Sequence, residues 1–112
     1  MKYESLPPAS REWVVAELAS GEPERICRAL VQTALNEPER GWVEDTIASN
    51  LQSEDAYVRG VSATCAGHVA RIHRALDVDR LLPLIRALGS DPETLGRMQD
   101  ALADIERFVR RG

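Results

Sequence analysis

The sequence predicts an all-α protein, a short right-handed solenoid of three antiparallel helix pairs and about six helices. Apolar residues recur at steps of three and four in every segment and nowhere alternate with polar ones, which favours helices over strands. Helix-breaking residues punctuate the chain, and the connections of two to five residues place successive helices antiparallel. A chain of 112 residues suits one hydrophobic core, so we expect residues 1–112 to form a single domain.

The helix boundaries follow from the residues that separate the apolar segments. The separators are Gly21 with Pro23, Asn36 with Pro38, Ser53 to Asp55, Asp77, and Ser90 to Pro92. Proline at the first helical position gives up no hydrogen bond, and acids in the first turn complement the helix dipole. We therefore expect helices to start at Pro23, Pro38 and Pro92, with acidic N-caps at Asp55, Asp77 and Asp91.

The first three segments should supply half of the core. Residues 1–9 contain Pro7 and Pro8 and are expected to form an extended lead-in, with Ser10 as the first N-cap. The apolar positions are Trp13, Val14 and Leu18 in the first segment; Ile26, Cys27, Leu30, Val31, Ala34 and Leu35 in the second; and Trp42, Val43, Ile47 and Leu51 in the third. The stripe of the second segment is the clearest of the three.

The last three segments complete the core. Their apolar positions are Val58, Val61, Cys65, Val69, Ile72 and Leu76; then Val78, Leu81, Leu82, Ile85 and Leu88; then Leu95, Met98, Leu102, Ile105 and Val109. Pro83 falls inside the fifth segment, where it removes a backbone hydrogen bond. This helix should therefore be kinked, or should start only near Leu81.

The distribution of charge along the chain indicates which class of partner it binds. The formal net charge of −4 is uneven, because residues 1–56 carry −6 and residues 57–112 carry +2. An acidic half disfavours nucleic-acid binding, in which Lys and Arg neutralise phosphates. The same charge suits a basic protein partner, although an ordinary solvated surface would have the same composition.

The apolar content and the cysteines indicate a compartment. No stretch is apolar for long enough to span a membrane, and residues 1–5 lack the apolar core of a secretory signal, so we expect a cytoplasmic protein that does not bind membranes. Cys27 and Cys65 have no CxxC spacing and lie on apolar stripes. We expect both to be buried, reduced thiols.

No group of residues supports catalysis. Cys65 and His68 are one turn apart, but His73 lies about 140° further round the helix than His68, so the three cannot converge on a metal ion. The sequence also has no glycine-rich phosphate loop and no spacing that suggests a Ser-His-Asp triad. We therefore expect no enzyme activity, no catalytic residue, no metal ligand and no cofactor.

Two surfaces are candidates for binding a protein. The first is the acidic middle of the chain, where aromatic side chains can anchor an interface inside an acidic rim. Its residues are Glu39, Trp42, Glu44, Asp45, Glu54 and Tyr57. The second surface is the inner face of the solenoid, which could hold an acidic peptide or a phosphate-bearing ligand. Its residues are Arg28, Gln32, His68, Arg71 and Gln99. We rank the first surface above the second.

One stretch resembles a known repeat. Residues 55–67 contain an Asp, a Val-Arg pair and then small residues that end on Gly, and this pattern resembles the start of the second helix of a HEAT repeat. The resemblance implies that Asp55 caps this helix, that Arg59 pairs with neighbouring turns, and that Ala63, Ala66 and Gly67 allow close helix packing. Residues 91–102 look like a degenerate copy of the same unit.

The whole chain, as a short acidic protein of HEAT-like helices, is similar in size and character to bacterial immunity proteins, which neutralise a toxin domain by occluding its active site. This similarity implies a cognate, basic toxin domain as the partner, and a monomer or weak homodimer as the oligomeric state. A scaffolding or regulatory HEAT-repeat adaptor, which binds a peptide or associates with itself, is the alternative. Phycobilin-lyase-type repeats share the same features.

Overall fold

A computed structural model describes residues 10–109, and within that range all of the regular structure is helical. The six α-helices are α1 (Arg11–Leu18), α2 (Pro23–Asn36), α3 (Arg40–Asn50), α4 (Ala56–His73), α5 (Val78–Arg86) and α6 (Pro92–Phe108), and a short 3-10 helix (Ala87–Ser90) precedes α6. The predicted all-α class with six helices is confirmed. The expected lead-in over residues 1–9 lies outside the described residues.

The contacts between helices follow the predicted pairing of successive helices. Within each predicted pair, α1 contacts α2, α3 contacts α4, and α5 contacts α6. The second helices also contact one another, α2 with α4 and α4 with α6. α4 thus lies at the centre of the molecule, and the right-handed sense of the solenoid stays a prediction.

Small residues let α4 occupy this central position. Ala63, Ala66 and Gly67 on α4 are buried. A Cβ atom placed on Gly67 would lie 2.9 Å from Oδ2 of Asp104, and one placed on Gly60 would lie 2.8 Å from Cδ of Arg97. Because both contacts come from side chains of α6, the glycines allow α6 to lie directly against α4.

The helix starts carry the expected caps. In each case a side-chain oxygen accepts a hydrogen bond from a backbone N–H of the first turn. The four capping bonds are Ser10 to Trp13 N (3.1 Å), Asp55 to Val58 N (3.0 Å), Asp77 to Arg80 N (3.3 Å) and Asp91 to Glu93 N (2.9 Å). Pro23 and Pro92 occupy first helical positions as predicted, but α3 begins at Arg40, so the predicted start at Pro38 is wrong.

Arg59 connects the start of α4 to the start of α6. Its Nη1 donates to the carbonyl oxygens of Ser53 (2.9 Å) and Glu54 (3.0 Å), in the loop before α4. Its Nη2 donates to Oδ2 of Asp91 at 2.8 Å, while Oδ1 of the same carboxylate caps α6. One guanidinium therefore fixes a loop, a helix start and a neighbouring helix together.

Pro83 does not delay the fifth helix. α5 begins at Val78 behind the cap of Asp77 and continues through Pro83. Of the two predicted alternatives, the late start near Leu81 is therefore excluded, and the kink stays a prediction. Proline removes the hydrogen bond to the carbonyl of Asp79. Both Pro83 and Asp79 are exposed, and water can satisfy that carbonyl, which explains why the helix tolerates proline here.

The core contains most of the predicted apolar stripes. Its largest fully buried apolar side chains are Leu30, Val43, Ile47, Val58, Val69, Leu81 and Ile85. Four members of the predicted stripes are instead exposed by more than a third: Trp13, Leu35, Ile72 and Leu95. Helical periodicity identifies a face of a helix, but it does not determine how far the neighbouring helices cover the edges of that face.

We predict that Asp91 stabilises the fold through both of its carboxylate oxygens. Asp91→Ala should lower the free energy of unfolding by about 1–2 kcal/mol, because α6 loses its cap and Arg59 loses a partner. Asp91→Asn should cost less, since asparagine also caps helices. Urea denaturation followed by circular dichroism measures both values. Asp100→Ala, at an exposed position of α6, is the control, and an equal effect of that change would contradict the assignment.

Candidate partner-binding surfaces

The structure divides the predicted acidic surface into two groups. Glu39, Trp42 and Asp45 lie at and near the start of α3, whereas Glu54 and Tyr57 follow the end of that helix. α3 has 11 residues and is therefore about 16 Å long. A partner that touches both groups must therefore contact both α3 and the start of α4.

Glu44, the sixth predicted residue, lies inside the protein. It is 5 % exposed, and its Oε2 accepts a hydrogen bond from the backbone N–H of Asp77 at 2.6 Å. Nε of Arg40 is 3.8 Å from the same oxygen. Glu44 therefore holds the start of α5 against α3. A buried carboxylate was not predicted because its hydrogen-bond donor is 33 residues away in the sequence.

The first group is built around Arg11, a residue that the sequence analysis did not select. The Arg11 guanidinium lies over the ring of Trp42, with Cζ 4.7 Å from the ring centroid. It also binds both carboxylate oxygens of Glu37, each at 3.3 Å, and forms an ion pair with Glu39. The hydrogen bonds from Arg11 hold the pKa of Glu37 below its ordinary value. The Trp42 ring is thus held between helices by a charge network.

Two arginines offset part of the negative charge of this region. Arg80 of α5 pairs with Asp45, just as Arg11 pairs with Glu39. Both carboxylates keep more than 60 % of their side-chain surface exposed, so each remains accessible to another cation. The sequence shows a dense run of acids, but the folded surface carries alternating acidic and basic groups.

The second group is dominated by Tyr57. Its side chain is on the surface, with the residue 53 % exposed, and the Arg97 guanidinium lies 6.0 Å from its ring centroid. Arg97 is fixed in turn, because its Nη1 donates to Oγ1 of Thr64 at 2.9 Å. Glu54 is exposed beside α4 and forms no ion pair within the described part of the chain.

A groove of about 530 Å³ runs between α2 and α4, and Tyr57 is part of its wall. Its lining residues are Glu24, Cys27, Arg28, Val31, Gln32, Leu35, Asn36, Tyr57 and Val61. Arg28 and Gln32 of the second predicted surface line it, whereas His68, Arg71 and Gln99 do not. Tyr57 and the exposed Leu35 both line this groove, which the sequence did not indicate.

The titratable side chains offer little chemistry. Burial raises the pKa of Cys27 to about 11 and that of Cys65 to about 12, which keeps both thiols protonated. Burial also lowers the pKa of His68.

Among residues 10–109, no group of three or more His, Cys, Asp or Glu side chains is arranged to hold a metal ion. Within the same residues, no helix is both long enough and apolar enough to cross a membrane.

Comparison with known proteins shows a similarity to a solved structure. No family model and no curated protein matches this chain. The chain is similar to a chain in the crystal structure of a CDI complex from Cupriavidus taiwanensis LMG 19424. The two share 29 % sequence identity, the similarity covers 96 % of each chain, and the TM-score is 0.80. The protein therefore shares its fold, along nearly its whole length, with a component of a CDI complex.

We predict that Glu44 acts on stability. Glu44→Ala should lower the free energy of unfolding by about 1–3 kcal/mol, because the N–H of Asp77 loses its acceptor. Glu44→Gln keeps an acceptor oxygen and should lose less. Thermal and urea denaturation measure the difference. Asp45→Ala, at the neighbouring exposed position, should change stability by less than about 1 kcal/mol. If Glu44→Ala were as stable as the unsubstituted protein, this assignment would be wrong.

We also predict that both thiols are unreactive in the folded protein. At pH 8, only about a thousandth of the Cys27 side chains should be ionised to the thiolate, and a still smaller fraction of the Cys65 side chains. Burial also restricts the access of reagents to both sulfur atoms. A chromogenic disulfide should therefore react slowly with the native protein and with two thiols per chain in denaturant. Cys27→Ser and Cys65→Ser variants show which of the two thiols reacts in each kinetic phase. Rapid native reaction of either thiol would contradict the buried environment.

Proposed function

We propose that this protein is an immunity protein, which binds and occludes a cognate basic toxin domain in the cytoplasm and has no catalytic activity of its own. The similarity to a chain of a CDI complex along 96 % of both sequences carries this proposal. CDI denotes contact-dependent inhibition, in which a toxin is paired with an immunity protein. A likeness of this extent favours a shared role in binding a protein.

The chemistry of the chain supports an inhibitor that acts by steric occlusion. The two thiols are buried and protonated, and most acids near α3 are occupied by capping bonds or ion pairs. Catalysis by acid, base or nucleophile needs such groups to face a substrate in a cleft. An inhibitor needs only a rigid, complementary surface, which a small packed helical domain provides.

The members of the acidic surface that are exposed or half-buried are proposed as the toxin-binding residues. They are Glu39, Trp42, Asp45, Glu54 and Tyr57. Trp42 and Tyr57 are each held by an arginine, so their rings lose little conformational freedom when a partner packs against them. Lysines and arginines of a basic partner would compete with Arg11 and Arg80 for the carboxylates. Glu54 would steer the approach of the partner.

The groove between α2 and α4 favours a second candidate function, that of an adaptor which binds a peptide or associates with itself. Its wall combines the exposed Leu35 and Tyr57 with the charged side chains of Glu24 and Arg28. Apolar walls with a few charged groups suit an amphipathic segment. Sedimentation that depends on protein concentration, and that Leu35→Glu abolishes, would favour self-association, whereas a strictly monomeric protein would count against it.

We predict a 1:1 complex between this protein and the toxin domain encoded beside it, measured by calorimetry with the purified components. The triple variant Glu39→Lys, Asp45→Lys, Glu54→Lys should bind at least about tenfold more weakly, mainly through slower association, because the steering charge is reversed. The effect should shrink as the salt concentration rises.

A matched variant controls for net charge. Asp79→Lys, Asp100→Lys, Glu106→Lys changes three exposed acids of α5 and α6 and shifts the net charge by the same amount. It should keep nearly full affinity. If both triple variants bound equally well, or were weakened equally, the proposed surface would be wrong, while the 1:1 complex would still support the immunity role.

A further inference from the structure

Arg97 differs from the other arginines that hydrogen-bond to a side chain of another segment. Among the described residues, four such arginines bind carboxylates: Arg11 binds Glu37 and Glu39, Arg25 binds Glu17, Arg59 binds Asp91, and Arg80 binds Asp45. Arg97 also reaches another helix, but its Nη1 donates to the neutral hydroxyl oxygen of Thr64 at 2.9 Å. No carboxylate within residues 10–109 forms an ion pair with Arg97.

Three contacts with α4 hold the Arg97 side chain in place. A Cβ atom on Gly60 would lie 2.8 Å from its Cδ, so the missing side chain at Gly60 lets the Arg97 stem lie against the helix. Its guanidinium carbon lies 6.0 Å from the centroid of the Tyr57 ring, and Thr64 accepts the hydrogen bond from Nη1. Tyr57, Gly60 and Thr64 are spaced by three and four residues and therefore share one face of α4. The guanidinium is thus already ordered before any partner binds.

The ordered guanidinium keeps hydrogen-bond donors for another molecule. Arg97 is exposed, and the bond to Thr64 is the one hydrogen bond from its guanidinium to the described residues. Its remaining N–H groups lie in a planar fork, whose geometry matches the two oxygens of a carboxylate. The Tyr57 ring beside it is also exposed, and a partner that covers this ring would exclude water from an ion pair formed there.

The charges around Arg97 favour a ligand with a single negative charge. Arg97 lines a depression of about 510 Å³ between α4 and α6 together with Asp100 and Asp104, and neither acid forms an ion pair with it. Both acids disfavour a doubly charged phosphate or a nucleic acid. They also repel a carboxylate that approaches over α6, which favours approach over Tyr57, from the side of α2. The groove on that side is lined by one acid and one base and adds no net charge.

We propose that Arg97 is a binding site for the carboxylate of an Asp or Glu side chain of the partner protein. Tyr57 covers one side of the ion pair, and Thr64 holds the guanidinium in position. This inference rests on the proposed function, because it assigns a chemical group of the toxin domain to the part of the interface around Tyr57. Arg97 then contributes to specificity, since a partner without this acid would leave a covered guanidinium unpaired.

The experiment measures the dissociation constant of the complex between the whole protein and its toxin-domain partner. Arg97→Met keeps an unbranched stem against Gly60 and removes the charge and the N–H groups. It should weaken binding at least about tenfold, mainly through faster dissociation, because the carboxylate of the partner is left covered and unpaired. Arg97→Lys keeps the charge without the planar fork and should weaken binding by a smaller factor.

Arg86→Met is the matched control. It removes the same charge at an exposed position of α5, from an arginine that forms no ion pair within the described part of the chain. It should change the affinity by less than about twofold. Circular dichroism shows whether each variant is folded. If Arg97→Met does not fold, Arg97→Lys takes its place in every comparison.

A double-mutant cycle identifies the carboxylate on the partner. Each Asp of the toxin domain is changed to Asn and each Glu to Gln, and each variant is measured with the unsubstituted protein and with Arg97→Met. One of these changes should weaken binding to the unsubstituted protein but cause no further loss with Arg97→Met. Equal effects of Arg97→Met and Arg86→Met, or the absence of any coupled acid, would overturn the proposal and leave the immunity role in place. The absence of any complex with the unsubstituted protein would instead refute the proposed function, and this inference with it.

Discussion

The close approach of α6 to α4 is the constraint on which the rest of the structure depends. Gly60 and Gly67 leave room for side chains of α6, and Arg59 fixes the separation of the two helices by binding Asp91 at 2.8 Å. α4 also packs on α2 and α3, and α1 and α5 pack in turn on the helices that contact α4. The groove between α2 and α4 and the Arg97–Tyr57 contact both follow from that arrangement.

Local chemistry made most of the fold predictable. Proline at helix starts, aspartate caps and apolar steps of three and four are properties of neighbouring residues, and they identified six helices and the caps at Ser10, Asp55, Asp77 and Asp91. The sequence predicted the wrong exposure for residues whose burial depends on contacts with a distant part of the chain. Glu44 is buried because α5 supplies its donor, and Trp13 is exposed because α1 packs mainly on one neighbour.

The candidate surface was harder to predict, because a run of acidic residues in the sequence does not give the net charge of the folded surface around them. Glu39 and Asp45 each face an arginine from another helix, and the sequence gives no sign of either pairing. The same pairings position Trp42 through Arg11. The folded surface offers two aromatic rings with carboxylates near them, one on α3 and the other at the start of α4. Such a surface suits a folded protein partner that spans it better than it suits a short peptide.

Neutralisation in living cells tests the immunity role most directly. The toxin domain that the proposal requires as the partner is expressed from a regulated promoter, with and without this protein at a matched level, and growth is recorded. The immunity role predicts that growth stops with the toxin domain alone and is restored by co-expression, while this protein alone has no effect. Continued arrest in the presence of folded, soluble protein would contradict the role.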